Sequence, residues 1–146
     1  MAHRRFLALP AAAVVLTSAL ALTGCGSSSG AAGSAVTAVD GVKHLGVEAF
    51  ASLAATPSVV VLDVRTPAEF ASGHLPNAVN VDFRAADFAD QVKALDPAKT
   101  YAVYCHSGNR SGQALEVFKA DGFTHVADLE GGITAWGSAG RQVVTG

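Results

Sequence analysis

The side chains that could do chemistry in this chain gather in Cys105-His106-Ser107-Gly108-Asn109-Arg110. A thiol, a glycine that permits a tight turn and a guanidinium stand in one short stretch. The apolar run Tyr101-Ala102-Val103-Tyr104 precedes it, and a helical pattern from Ser111 follows. A loop between a strand end and a helix start can turn successive backbone N–H groups inward, as an anion-binding nest. The helix adds the positive end of its dipole. A thiolate in such a place has a depressed pKa and is present at neutral pH. Arg110 adds a fixed positive charge and can hold an oxyanion through two parallel hydrogen bonds. The competing reading of Cys105 is a buried structural thiol, the common fate of a lone cysteine. Its place at a strand-to-helix loop argues for the reactive reading, as does the lack of a disulfide partner if the chain's other cysteine, Cys25, is modified.

Other polar residues stand near the ends of predicted elements. Asp63 and Arg65 follow the apolar run Val59-Val60-Val61-Leu62. They either border the pocket and orient the loop, or form an ion pair that holds the frame; the frame reading is the simpler one, with Asp63 accepting from backbone amides. Glu69 reads as a cap residue, and His74 as a hydrogen-bonded structural histidine. His106, next to the thiol, could steer an anion when protonated. His44 and His125 have no partner visible in the sequence, so no metal site is expected. Trp136 reads as core at the edge of a short terminal helix.

These residues need a scaffold. Val47, Phe50, Leu53 and Ala54 share one helical face. Val59–Leu62 is a continuous apolar run, as in a strand buried on both faces. Thr66-Pro67-Ala68-Glu69 is a helix start with a capping box and proline at the first position, and Gly73 ends that helix. Ala78–Val81 reads as a brief strand and Phe83–Leu95 as an amphipathic helix stopped before Pro97. Tyr101–Tyr104 is a second buried strand. Ser111–Ala120 is helical and closes at Asp121-Gly122. His125–Leu129 is a strand, and Ile133–Ala139 a short helix. Strands alternating with helices imply a parallel sheet covered on both faces. In such folds ligands bind at the carboxyl ends of the strands, which directs attention to the loops after Leu62 and Tyr104.

The N-terminal region is of another kind. Met1-Ala2-His3-Arg4-Arg5 is cationic, Phe6–Thr23 carries no charge, and Leu22-Thr23-Gly24-Cys25 precedes a Gly/Ser/Ala stretch. This is the pattern of a secretory signal peptide, and its ending resembles the lipobox of bacterial lipoproteins. That resemblance implies a signal peptide over 1–24 and a Cys25 that carries acyl chains, palmitate among them, with 25–39 as lipidated cysteine and flexible linker and 40–146 as the folded domain. An acyl chain contributes about 0.8 kcal/mol per buried methylene. An uncleaved anchor and ordinary secretion are the alternatives; all three place the domain outside the cytoplasm, and the lipoprotein reading holds it at the outer face of the cell membrane.

Bulk composition agrees with a single domain. The chain has 146 residues, of which 50% are hydrophobic and 15% charged, with a formal net charge of -2. That is too apolar for disorder. No basic run appears in the body of the chain, which excludes a nucleic-acid binder acting through phosphate neutralisation. Two cysteines are too few for a disulfide-stapled scaffold.

Four stretches together resemble the single-domain rhodaneses: Leu62-Asp63-Val64-Arg65-Thr66-Pro67-Ala68-Glu69-Phe70, Gly73-His74-Leu75-Pro76-Asn77-Ala78-Val79-Asn80, Val103-Tyr104-Cys105-His106-Ser107-Gly108-Asn109-Arg110-Ser111, and Leu129-Glu130-Gly131-Gly132-Ile133-Thr134-Ala135-Trp136. The resemblance implies an α/β rhodanese-like fold, a central mostly parallel five-stranded sheet with helices on both faces. It also implies a sulfurtransferase. Cys105 would take a sulfane sulfur from a small anionic donor such as thiosulfate and pass it to cyanide or a thiol. The amides of His106, Ser107, Gly108, Asn109 and Arg110 would stabilise the thiolate and the persulfide's terminal sulfur, Arg110 would hold the donor's anionic end, and no cofactor would be needed. The main alternative is a relay or redox-sensing module that hands persulfide sulfur to an acceptor protein, and a third is a scaffold with an idle thiol. Cysteine phosphatases of related fold place one more residue between Cys and Arg, a wider cradle than this one.

Overall fold

The computed structural model describes residues 39–146. The expectations for the signal peptide over 1–24 and for Cys25 lie outside the described residues. The elements follow as β1 (Gly41–Leu45), α1 (Val47–Ala54), β2 (Val59–Asp63), α2 (Pro67–Ala71), β3 (Val79–Asn80), α3 (Phe88–Lys93), β4 (Thr100–Tyr104), α4 (Asn109–Ala120), β5 (His125–Leu129) and α5 (Gly132–Ser138). The strands form one sheet in the order β1-β5-β4-β2-β3. Every pairing is parallel, with Val61 beside Ala102 and Ala102 beside Ala127 in the middle of the sheet. The fold class stands as expected, with "mostly parallel" sharpened to all-parallel.

Alternation along the strands sorts the core into two layers. Leu62, Tyr101, Val103 and Val126 pack with Phe88 and Val92 of α3 and with Ala114, Leu115 and Phe118 of α4. Val61, Ala102, Tyr104, Ala127 and Leu129 pack on the other face with Phe50 and Leu53 of α1 and Trp136 of α5. Each large side chain fully removed from water contributes about 1.5–3 kcal/mol. Trp136 is core, as expected: it meets Phe50 edge-on at 6.3 Å and its indole N–H donates to the Gln142 carbonyl at 2.8 Å.

Local signals explain most boundaries. The capping box at α2 forms as its sequence implies, with the Thr66 hydroxyl accepting from the Glu69 amide and the Glu69 carboxylate accepting from the Thr66 amide. Gly122 (φ +82°) follows the end of α4. Two expectations need correction, and one strand carries no signal in the sequence. Strand β1 was not legible: its GVKHL has no apolar run, because it is an edge strand with Lys43 and His44 exposed. The helix expected over Phe83–Leu95 is confined to Phe88–Lys93. The Asp82 carboxylate accepts from the Arg84 amide at 2.9 Å, and turns at Asp82–Ala85 and Ala85–Phe88 take the earlier residues. Val39, expected in the linker, is buried in the α1 layer.

All strands run the same way, so the segments after β2, β4 and β5 leave the sheet at one edge. Asp63, Cys105 and Glu130 begin or adjoin those segments.

Candidate active site

Cys105 is the first residue past β4, and its side chain is shielded from solvent. The Gly108 amide donates to Sγ at 3.2 Å, and the Ser111 hydroxyl lies 3.6 Å from it. Gly108 has φ +91°, a left-handed conformation at the point where the loop turns into α4. Burial alone would raise the thiol's pKa. The Ser111 amide and hydroxyl and the amides of Ser107 and Gly108 outweigh it, so the net shift is downward. The arrangement is a nest of donors aimed at a sulfur anion.

The loop is held from behind by the Gly131-Gly132 turn. The Ile133 amide donates to the Cys105 carbonyl at 2.8 Å, and the Thr134 amide and hydroxyl donate to the His106 carbonyl at 3.2 and 2.9 Å. These bonds turn the loop carbonyls away from the sulfur and leave the amides facing it. The approach is close: a Cβ on Gly132 would lie 2.4 Å from the Cys105 carbonyl oxygen, and Gly132 has φ +57°. From sequence this glycine pair promised only a sharp turn; its close approach to the loop comes from the tertiary fold.

Asp63 and Arg65 form the frame. The Asp63 carboxylate accepts from the Arg65 amide at 2.9 Å and from its guanidinium at 2.6–3.0 Å. Arg65 also donates to the Gly73 carbonyl at 2.6 Å, and its guanidinium carbon lies 5.7 Å from the centre of the Tyr104 ring. Both side chains are buried, so each stands as the other's counter-charge. Asn80 ties this loop further, donating to the carbonyls of Asp63 and Arg65.

Arg110 is occupied in a way the sequence did not reveal. Its two terminal nitrogens donate to the two oxygens of Glu69 at 2.8 and 2.6 Å. This pair, with help from Thr66, holds the Glu69 carboxyl well below the usual carboxylate range and raises Arg110. Glu69 is thus both the α2 cap and the partner of Arg110. A guanidinium has five N–H donors, so Arg110 keeps donors for a ligand while part of its charge is met.

The remaining candidates disperse. His106 and Ser107 are exposed at the loop tip, and the Asn109 side chain accepts from Gln113 at 2.7 Å. His74 is structural as expected: it stacks on Phe70 at 3.8 Å and its Nδ1 meets the Phe70 carbonyl. His125 meets the Val39 carbonyl at 2.8 Å. His44 does have a partner, Asp128, at 2.6 Å. Among the described residues no group of three or more His, Cys, Asp or Glu is placed to hold a metal ion.

Comparison with known proteins places this geometry. Residues 46–139 match the family model described as Rhodanese-like domain. A protein of Allochromatium vinosum named "Sulfurtransferase" is 35% identical over 92 residues, covering 63% of this chain and 84% of that one. A Saccharomyces cerevisiae protein named "Thiosulfate:glutathione sulfurtransferase" is 33% identical over 95 residues, covering 58% of this chain and 68% of that one. The crystal structure of a rhodanese-related protein from Thermoplasma volcanium superposes with a TM-score of 0.62 at 32% identity, over 71% of this chain and 99% of that chain. With a parallel sheet that delivers a cysteine into a nest of amides, the chain belongs to the rhodanese-like domain family.

Proposed function

We propose that this protein is a sulfurtransferase in which Cys105 carries the sulfur. The carrying observation is the Cys105 Sγ itself, facing loop amides that lower its pKa. The thiolate attacks the sulfane sulfur of a donor such as thiosulfate. A new S–S bond forms, the donor's S–S bond breaks, and sulfite leaves with the bonding electron pair. The terminal sulfur of the persulfide is an anion in the same nest of amides, electrostatic assistance of the oxyanion-hole kind. Cyanide or a thiolate then attacks that terminal sulfur, takes it, and returns Cys105 as thiolate. This is a double displacement through a covalent intermediate. Arg110 aids the donor's anionic end with the N–H groups Glu69 leaves free, and Asp63 and Arg65 keep the frame.

A second reading follows from the Glu69–Arg110 pair. With much of its positive charge met, the site is a weaker trap for a small dianion, which favours a relay that discharges its persulfide to a partner protein. Thiocyanate release from thiosulfate and cyanide separates the two, with Cys105→Ala as control. Sustained turnover lost in the variant is the expected result. A single persulfide equivalent with no turnover supports the relay. No reaction at an alkylatable Cys105 refutes both.

We further propose that the chain is a lipoprotein anchored through Cys25, outside the cytoplasm. The support is the cationic start, the uncharged stretch and Leu22-Thr23-Gly24-Cys25. Metabolic labelling with a palmitate analogue should mark the protein and be lost in Cys25→Ser; equal labelling of both would contradict the proposal.

A further inference from the structure

Behind Cys105 lies a line of polar groups that the sulfur chemistry described above does not use. The Ser111 hydroxyl, fully buried, is 2.9 Å from Asp128 Oδ2, 3.1 Å from the Gly108 carbonyl and 3.6 Å from Cys105 Sγ. A hydroxyl has one proton to donate, so these three acceptors compete for it. Asp128 is a buried acid on β5. Its other oxygen, Oδ1, meets His44 Nδ1 at 2.6 Å, while the His44 side chain is 61% exposed. The line therefore runs from solvent to the nucleophile: His44, Asp128, Ser111, Cys105.

The electrostatics give the line a direction. A buried carboxylate one hydroxyl away from a thiolate repels it, because like charges disfavour each other's ionised form. The same carboxylate draws the Ser111 proton away from the sulfur. A positive charge on His44, whose Nδ1 stands 2.6 Å from Oδ1 and whose ring is open to solvent, offsets both effects. The elements packed against β1 carry few other charges that could substitute. Beside Asp128, β5 has His125, which is engaged with Val39. On α1 the acid is Glu48, paired with Arg141. On α4, the helix beneath His44, are Arg110, paired with Glu69, and the exposed Glu116 and Lys119. Lys43 on β1 itself points to the opposite face of the sheet from His44.

We propose that Asp128 and His44 are positioning residues for Cys105, with the charge of His44 releasing the Ser111 hydroxyl to the sulfur and screening the thiolate from Asp128. The inference rests on Cys105 as the reactive group, but not on the identity of the sulfur donor.

The test is the titration midpoint of Cys105, read from thiolate ultraviolet absorbance and from the pH dependence of iodoacetamide alkylation. It uses the full chain with Cys25→Ser, so that Cys105 is the single thiol. His44→Gln removes the charge at an exposed position where folding is safe, and should raise the midpoint by roughly half a unit or more. Asp128→Asn removes the repelling charge, keeps the shape and should lower it. Asp128→Asn with His44→Gln should behave as Asp128→Asn alone. A merely structural line would move both single variants the same way, since each breaks a hydrogen bond. An unmoved midpoint in His44→Gln, or shifts of the same sign in the two single variants, would overturn the proposal. Neither readout needs sulfur transfer, so absent turnover with these shifts intact would count against the sulfurtransferase reading alone.

Discussion

At the scale of single residues, the site is a balance of one anion and its donors. Cys105 accepts from the Gly108 amide and faces Ser111, so removing the Ser111 hydroxyl should weaken the thiolate directly. Ser111→Ala should raise the Cys105 titration midpoint and slow alkylation several-fold near neutral pH, because a hydrogen bond to a charged group contributes about 1.5–3 kcal/mol. Arg110→Ala should cost more in KM than in kcat for thiosulfate. Under the proposed reaction it would remove a ligand for the donor's anionic end, and it parts Glu69 from its guanidinium partner, so kcat/KM should fall by about ten- to a hundredfold. Glu69 adds a pH dependence of stability. Its folded-state carboxyl is held low, chiefly by Arg110. A carboxylate with a depressed pKa contributes its full stabilisation above the unfolded value and loses it as pH falls through the folded one. The stability difference between wild type and Glu69→Gln should therefore be constant near neutrality and shrink steadily below about pH 5. Chemical denaturation at a series of pH values checks it; a difference that grows toward acid would contradict the ion-pair origin.

At the scale of elements, the loops matter through what stands behind them. Gly132 lets the α5 start donate to the Cys105 and His106 carbonyls. Gly132→Ala places a methyl against backbone that cannot yield like a flexible side chain, at a cost of about 1–3 kcal/mol in stability. It should also lose activity beyond that cost, because the loop amides lose their aim; circular dichroism melts and turnover on the same sample measure both. What could be read in advance at this scale was the local part. The Thr66-to-Glu69 capping box, the apolar runs of β2 and β4 and the loop at Cys105 each lie within a few residues of chain, where propensity and periodicity act. Strand β1 was missed because an edge strand needs no apolar run. Helix α3 was overestimated because Asp82 captures the Arg84 amide and diverts the chain into turns. The contacts between Arg110 and Glu69, and between His44 and Asp128, join residues 41 and 84 positions apart, and no local pattern announces such partners.

At the scale of the whole molecule, a parallel sheet sets its loops at one edge, so segments distant in sequence meet at Cys105. The frame is built twice over, by the buried Asp63–Arg65 pair on the β2 side and by the Gly131-Gly132 turn on the β5 side. Arg65→Ala leaves the Asp63 carboxylate buried and uncompensated, a change that costs about 3–5 kcal/mol in such settings. Global stability should drop by that order in urea unfolding, whereas Asn109→Ala at the exposed loop should change it little. The central claim, that Cys105 carries sulfur, is most directly tested by intact mass. The full chain is incubated with thiosulfate, freed of small molecules and weighed, with and without later cyanide. The expected result is a gain of one sulfur atom located at Cys105, absent in Cys105→Ala and removed by cyanide. An unchanged mass on a folded protein whose Cys105 still alkylates would contradict it.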